Sequence, residues 1–502
     1  MKSQLKIIIQ RFWILLQNFG AWLLESTKSI VDNALEHLAG KDHSLKAKFA
    51  PESSILKRRF KGFNLTGKGI TPHLSQTNVL INGGSGSGKT SICLIKSVLS
   101  VEGSQVIHDP SFEIFSKCSG YLARQGYRII QLDLTNPKTT HFYNPMHRAR
   151  TIGQLNRLAT LLVSNSMDKG KRDFWSNSAI QVLVCGMQIL RLLPTHYQNL
   201  YNLAHLIKLW QSEAGRKNLD RLVATICDKQ PALFEQYLAL NSNSPNTFSG
   251  MLSSALVSIQ MYSLDESVAE VTSLDTIGDF ASIRKEKTAI FLHSSISKAE
   301  YLASVSSIFL NQFFEAFFEK LPEPDDLDCF ITCEEMPVLQ IDNLDTIASN
   351  IRKYRGALCI VAQDSYSQLT TKYGKEKAEA IISNMRIKVF LSASLDIATR
   401  LSKELGTYEY SDEQEVTRRR ELMTPDEIMA LPHDQGLITV VNKRPILARL
   451  TPYYKDPRIL KMTQIPPAPG NYTSEEGEDT IPQLLNIEDY LQSLTLNITS
   501  HE

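Results

Sequence analysis

Residues Asn78–Val98 read NVLINGGSGSGKTSICLIKSV. The apolar run Val79-Leu80-Ile81 has the composition of a buried strand. Gly83, Gly84, Ser85, Gly86, Ser87 and Gly88 follow, then Lys89, Thr90 and Ser91. Ile92, Leu94, Ile95 and Val98 recur at the spacing of a helix's buried side. A G-x-x-x-x-G-K-T run between strand and helix is a P-loop. A Gly/Ser linker that merely precedes Lys-Thr has no need of either flank. Small residues let main-chain N–H groups close on phosphate oxygens. The helix N-terminus adds partial positive charge there. In such a loop Lys89 reaches the terminal phosphates and the Thr90 hydroxyl ligates Mg²⁺.

Downstream of this stretch, strand and helix patterns alternate. Ser104–Asp109 reads as a strand, Ser111–Arg124 as a helix and Tyr127–Asp133 as a strand. That is the opening of a parallel sheet. Residues 152–278 show helical periodicity and no clear strand, so an all-α insertion is expected. The strand pattern returns at Ala289–Leu292 and is followed by a Phe-rich helix, Tyr301–Lys320. Five aromatics at helical spacing in that helix read as core rather than a ligand box.

Leu327–Cys333 is an apolar strand that ends at Glu334-Glu335. Paired carboxylates at a buried strand's tip, downstream of a P-loop, form a Walker-B-like site. One carboxylate serves Mg²⁺ and the other polarises water; a solvated surface pair is the alternative. The first position usually holds Asp, and Glu334 is longer by one methylene. Ala357–Gln363 is another apolar strand, and Gln363 at its tip can sense a terminal phosphate or orient water. Arg352 suits an arginine finger offered to a neighbouring subunit. Ordinary surface roles for Gln363 and Arg352 remain open. The strand Ile387–Leu391, the helix Leu395–Leu405 and a hairpin around Asn442-Lys443-Arg444 complete the α/β pattern. Beyond Tyr454 order is expected to fade.

The chain has 502 residues, so a core domain with an added lobe is expected. Net charge is +1, which excludes a global field for nucleic acid and leaves local patches. The seven cysteines have no C-x-x-C spacing, which fits reduced thiols in a cytosolic compartment. Residues 5–24 are strongly apolar but interrupted by Gln10, Arg11, Gln17 and Asn18. An interfacial or partner-binding helix, a membrane span and a helix packed on the domain are all compatible with that run. Lys57-Arg58-Arg59 and Lys61 make the entry to the domain basic. The tail after Pro469 has no Lys or Arg and carries Glu475, Glu476, Glu478 and Asp479. Leu484, Leu485, Ile487, Leu491 and Leu494 form a small amphipathic pattern, suited to a helix that docks on a partner.

Together these motifs resemble a type IV secretion coupling protein, the TraG/TraD-type conjugative DNA-transfer ATPase. The matching pieces are GGSGSGKT at Gly83–Thr90, HDPSFEIF at His108–Phe115 and YNPM at Tyr143–Met146. Phe174-Trp175, CEEM at Cys333–Met336, the Arg352–Gly374 block, ISN at Ile382–Asn384 and the Arg419–Pro457 block follow in order. The resemblance implies a RecA-like P-loop NTPase with a parallel-rich sheet and an all-α insertion. It divides the chain into an N-terminal segment (1–61), the nucleotide domain in two parts (62–150 and 281–457), the insertion (151–280) and a Pro-rich, acidic tail (458–502). It implies ATP and Mg²⁺ as ligands, with phosphate on Gly83–Ser91. Lys89 and Thr90 hold phosphate and metal, Glu334 takes the metal-site position, Glu335 the catalytic carboxylate, Arg352 the finger and Gln363 the sensor. The implied partners are single-stranded DNA, relaxase and relaxosome proteins, type IV secretion channel components and further copies in a homo-hexamer. The implied place is the cytoplasmic face of a bacterial inner membrane, where two N-terminal spans are usual and this sequence offers at most one. A coupling ATPase for protein effectors, or a nucleotide-binding scaffold without turnover, would share most of these features.

Overall fold

The computed structural model describes residues 47–58, 60–166, 173–228, 230–295, 298–411, 417–470 and 482–499. The apolar N-terminal run, Arg59 and the acidic stretch Thr473–Thr480 lie outside them. The chain divides into two units. One comprises residues 1–48 with 401–424, and the other residues 49–400 with 425–502. In the first, a two-stranded antiparallel ribbon pairs β8 (Thr407–Ser411) with β9 (Thr417–Glu421).

The second unit is built on a nine-stranded sheet. Its strands are β1 (Val79–Asn82), β2 (Ser104–His108), β3 (Arg128–Asp133), β4 (Thr288–His293), β5 (Cys329–Cys333), β6 (Gly356–Ala362), β7 (Ile387–Phe390), β10 (Gln435–Val440) and β11 (Ile446–Arg449). Their order is β11-β10-β7-β1-β6-β5-β2-β4-β3. The seven strands from β7 to β3 are mutually parallel, and β10 and β11 close one edge antiparallel. All of β1 is buried, because successive side chains point to opposite faces and both faces are covered. Val79 and Ile81 join one core, and Leu80 the other.

On the Val79 face, the P-loop helix opens as a π turn over Lys89–Leu94 and continues as α1 (Ile95–Ser100). It packs beside α2 (Glu113–Arg124), whose Ile114, Phe115, Cys118 and Leu122 point inward. The helical insertion occupies the crossover between β3 and β4. It comprises α3 (Ile152–Ser166), α4 (Phe174–Arg191), α5 (Leu200–Gln211), α6 (Glu213–Ile226), α7 (Pro231–Asn241) and α8 (Pro245–Ile259). Asp173, Asn199, Ser212 and Ser244 cap α4, α5, α6 and α8 through their side chains. Because β3 and β4 lie together at the sheet edge, a long excursion between them leaves the sheet intact. Asn144 seals the joint by donating to the Gln198 and Ser273 carbonyls. The Leu80 face is covered by α9 (Ala299–Glu319), α10 (Leu344–Asn350), α11 (Ser365–Tyr373) and α12 (Lys375–Asn384). The phenylalanines of α9 are core, as their spacing implies: Phe309, Phe313, Phe314 and Phe317 are buried.

Order does not fade at Tyr454. Asp456 caps α13 (Pro457–Thr463), and the following segment lies against α2. The Ala468 N–H donates to Ser119 Oγ, and any side chain on Gly120 would collide with the Pro466 carbonyl. The last apolar pattern also folds, as α14 (Ile487–Thr499), and it rests on this chain's own α6 rather than waiting for a partner. All seven cysteines are buried free thiols. Among the described residues no helix is long and apolar enough to cross a membrane.

Candidate nucleotide site

The parallel strands bring their C-terminal tips together, and the candidate residues sit on those tips. The loop after β1 leaves the sheet at Gly83, whose N–H donates to the Ala362 carbonyl at the tip of β6. Gly86 (φ 75°) and Gly88 (φ 86°) adopt left-handed backbone, which closes the loop into a cradle. The Gly84 N–H is held by Ser392 Oγ at 2.8 Å, from beyond the tip of β7. Lys89 is buried and folds over the loop, its Nζ donating to the Gly83 and Gly84 carbonyls at 2.7 and 3.1 Å. An ammonium parked on its own loop can turn to phosphate oxygens without leaving the cradle. Ser91 Oγ donates to the Gly88 carbonyl at 3.3 Å and steadies the turn into the helix.

Glu334 follows β5 and reaches the same place. Its Oε1 accepts the Thr90 hydroxyl at 2.6 Å. These are the two groups expected to share a metal, and the fold brings them into direct contact. Glu334 Oε2 and Ser87 Oγ are buried with no protein partner, so the site has polar capacity that the chain does not use. That capacity, with the left-handed glycines and the retracted Lys89, fits a triphosphate and a hard divalent cation. Glu335 comes next, at φ 51°, ψ 46°, a left-handed conformation that is strained for a non-glycine residue. It is half-buried and follows Glu334 at the β5 tip. Gln363 is exposed at the tip of β6, and its N–H donates to Gln368 Oε1.

Arg352 is elsewhere. It precedes β6, while the cradle lies past the strand's far end. Seven residues of strand, at ~3.3 Å each, place it about 20 Å from its own P-loop. There it is exposed and its Nη2 meets His73 Nε2 at 3.0 Å. The fold therefore gathers Lys89, Thr90, Glu334, Glu335 and Gln363 at the C-terminal ends of the strands and leaves Arg352 at their opposite, N-terminal end.

Burial raises the Glu334 carboxyl from 4.5 to about 8, with Asp109, Glu335 and Glu113 adding to the rise and the Thr90 hydroxyl opposing it. In the metal-free protein, between pH 4.5 and about 8, the folded chain keeps a proton that the unfolded chain has lost. Stability from this group thus falls as pH rises across that window. Denaturation in chelator should show this fall, and Glu334→Gln should remove that part of it. Mg²⁺ affinity should strengthen over the same range, because the proton must leave before the metal binds.

Three contributors escape motif reading. His108, at the tip of β2, donates from Nδ1 to the Glu334 carbonyl at 2.6 Å, and its own carbonyl accepts the Glu334 N–H. Burial lowers its pKa to about 4, so the imidazole is neutral. It holds the Glu334 main chain from both sides. Asn82, the polar end of β1, accepts the Ser365 N–H and ties the loop's root to the turn before α11. Ser392 belongs to the site only through the strand order β7-β1. Asp109, from the HDPSFEIF block, supports α2 instead: its Oδ2 accepts the Phe115 N–H at 2.7 Å.

A glycine cradle on the central strand of a mostly parallel sheet, with a buried carboxylate on a nearby strand tip, defines a P-loop α/β nucleotide-binding protein. The sequence matches the model of the family described as "Type IV secretory system Conjugative DNA transfer" over residues 38–469, and the chain belongs to that family. Protein VirD4 of Rhizobium radiobacter is 22% identical over 443 residues, 80% of this chain and 62% of that protein. The type IV secretion system-coupling protein VirD4 of Bartonella henselae is 23% identical over 433 residues, 77% of this chain and 64% of that protein. The chain thus spans just under two thirds of the length of these relatives. Among solved structures, the bacterial conjugative coupling protein TrwBdeltaN70 in complex with sulphate is similar at a TM-score of 0.63 and 19% identity, covering 81% of this chain and 94% of that one. TrwB in complex with ADP and Mg²⁺ is similar at 0.61 and 19%, with the same coverage. The fold is the RecA-like α/β NTPase fold of those structures, with the all-α lobe inserted after β3.

Proposed function

We propose that the chain is a Mg²⁺-dependent ATPase of a conjugative coupling system. It recruits single-stranded DNA with its attached relaxase and drives it toward a type IV secretion channel. The observation that carries this reading is the meeting of Lys89, Thr90 and Glu334 at the tips of β1 and β5, in a chain matched to the conjugative-transfer family across residues 38–469. TrwB structures with ADP and Mg²⁺ and with a non-hydrolysable ATP analogue support the choice of ligands. Residues Gly83–Ser91 cradle phosphate, and Thr90 and Glu334 would hold Mg²⁺, which when bound neutralises phosphate charge. Glu335 polarises the attacking water and Gln363 orients it. Because Arg352 faces away from its own cradle, it serves a neighbour's site in a homo-hexameric ring. DNA is held mainly through phosphates, so binding is weakly sequence-specific and salt-sensitive. The apolar run at residues 5–24 supports attachment at the cytoplasmic face of the inner membrane.

The test is ATP turnover against protein concentration, with and without single-stranded DNA. Turnover should rise with concentration and rise again with DNA. Turnover indifferent to DNA would assign the motor to protein cargo, and its absence would remove the motor. The finger has its own test. Arg352→Ala and Lys89→Ala chains, each inactive alone, should recover activity when mixed, since a Lys89→Ala copy still offers Arg352 to its neighbour.

A further inference from the structure

His108 closes β2 as the register partner of Cys333, the last residue of β5, and is 1% exposed. A histidine buried for packing alone has both ring nitrogens bonded. This one does not. A carbonyl oxygen only accepts, so the 2.6 Å contact with the Glu334 carbonyl puts the ring proton on Nδ1. Nε2 is then a bare acceptor, and it is buried with no protein partner among the described residues. A buried polar atom left unpaired works against folding. Stability alone would favour an apolar side chain here, like those of Val106 and Ile107 before it. What the imidazole supplies instead is one hydrogen bond, and its target is specific.

The Glu334 oxygen belongs to the peptide that joins Glu334 to Glu335. That unit is planar, so holding its oxygen sets which way the Glu335 N–H faces. Glu335 is left-handed, at φ 51° and ψ 46°. Turning the same peptide over would return its φ to the negative range that a glutamate prefers. Strained backbone persists only where the surroundings over-determine it. Here the peptide before Glu335 is held by His108, and the carbonyl after it accepts the Val338 N–H at 3.1 Å. The Glu334 side chain is held separately, by the Thr90 hydroxyl. The two adjacent carboxylates therefore have different anchors, and Glu335 is the one whose backbone is held against its own preference.

We propose that His108 is a positioning residue for hydrolysis: its Nδ1–H pins the Glu334–Glu335 peptide and thereby keeps Glu335 in the left-handed conformation that places its carboxylate for the attacking water. The proposal rests on the reading of Glu335 as the carboxylate of an ATPase. Without the pin the peptide turns, Glu335 relaxes and its carboxylate leaves that placement. Glu334 stays on Thr90, so the phosphate cradle and the metal position survive. The loss falls on the chemical step and not on binding.

The first measurement is ATP turnover beside the affinity for a fluorescent ATP analogue in Mg²⁺. His108→Ala should lower kcat by about a hundredfold, the scale of a misplaced reacting group, and leave KM and analogue affinity little changed. His108→Asn keeps an amide N–H where Nδ1 stands and should restore most of kcat. His108→Gln carries its amide one atom further out and should not. Equal losses in affinity and turnover, or equal behaviour of the Asn and Gln variants, overturn the proposal. The second measurement needs no turnover: the urea midpoint of the chain in chelator, without nucleotide. Glu335→Gly should raise the midpoint of the unaltered chain by relieving strain, and that rise should vanish in the His108→Ala chain, where the turned peptide has already relieved it. An undiminished rise overturns the clamp. If His108→Ala does not fold, His108→Gln takes its place in both comparisons. The two readings fail separately: no turnover in the unaltered chain refutes the motor while the urea cycle still judges the clamp, and turnover with additive midpoints refutes the clamp alone.

Discussion

Glu335→Gln should lower ATP turnover by roughly 10²- to 10⁴-fold, the range of a lost general base, while nucleotide affinity changes little. The amide keeps the shape of the side chain and its hydrogen-bonding reach. It loses only the basic oxygen that, in the proposed reaction, would draw the proton from water. The location makes the prediction sharp. Glu335 stands beside the carboxylate that touches Thr90, yet it is not itself bonded to the loop in the way Lys89 is. Its left-handed backbone costs on the order of 1–3 kcal/mol, and a glycine there should stabilise the fold while ending catalysis. Phosphate release and the affinity for a fluorescent ATP analogue, measured side by side, check this. Equal losses in both would make Glu335 a structural residue, and unchanged turnover would move the base elsewhere.

Lys89→Ala should behave differently, with affinity and turnover falling together. Two charge-assisted contacts to phosphate, at ~1.5–3 kcal/mol each, correspond to at least about a hundredfold in affinity. The loop also loses its clasp, because Lys89 Nζ bridges the Gly83 and Gly84 carbonyls. Arginine should not rescue it. The slot is buried and accepts a point charge on a slim stem, whereas a planar fork demands room that the glycine turn lacks. Titration of the analogue against both variants decides the matter. Retained affinity in Lys89→Ala would mean that the cradle works through its amides alone.

The strand tips at Glu334 and Gln363 are legible in the amino-acid sequence, because each ends an apolar run with a polar residue and a parallel sheet gathers such ends. The helical insertion is legible from its periodicity. What stays hidden depends on contacts between distant segments. Helix α7 is apolar on most of its sides and α11 is largely polar, so neither shows a one-sided apolar stripe in the sequence. β9 is a run of exposed arginines, Thr417–Glu421, held by pairing rather than burial. His108 and Ser392 enter the site only through strand order. The segment after Tyr454 has the prolines of a linker, yet Gly120 leaves room for it on α2. The terminal apolar pattern does form an amphipathic helix, but it docks on its own chain.

The seven sequestered sulfhydryls have a practical consequence. Burial pushes Cys93, Cys329 and Cys333 up to about 12, so in the closed fold they are thiols in any ordinary buffer and poor nucleophiles. A maleimide dye should ignore the native protein and report only global opening. A single cysteine engineered on the surface can then be labelled without removing any natural one, and distances between labelled copies would test whether the proposed ring forms.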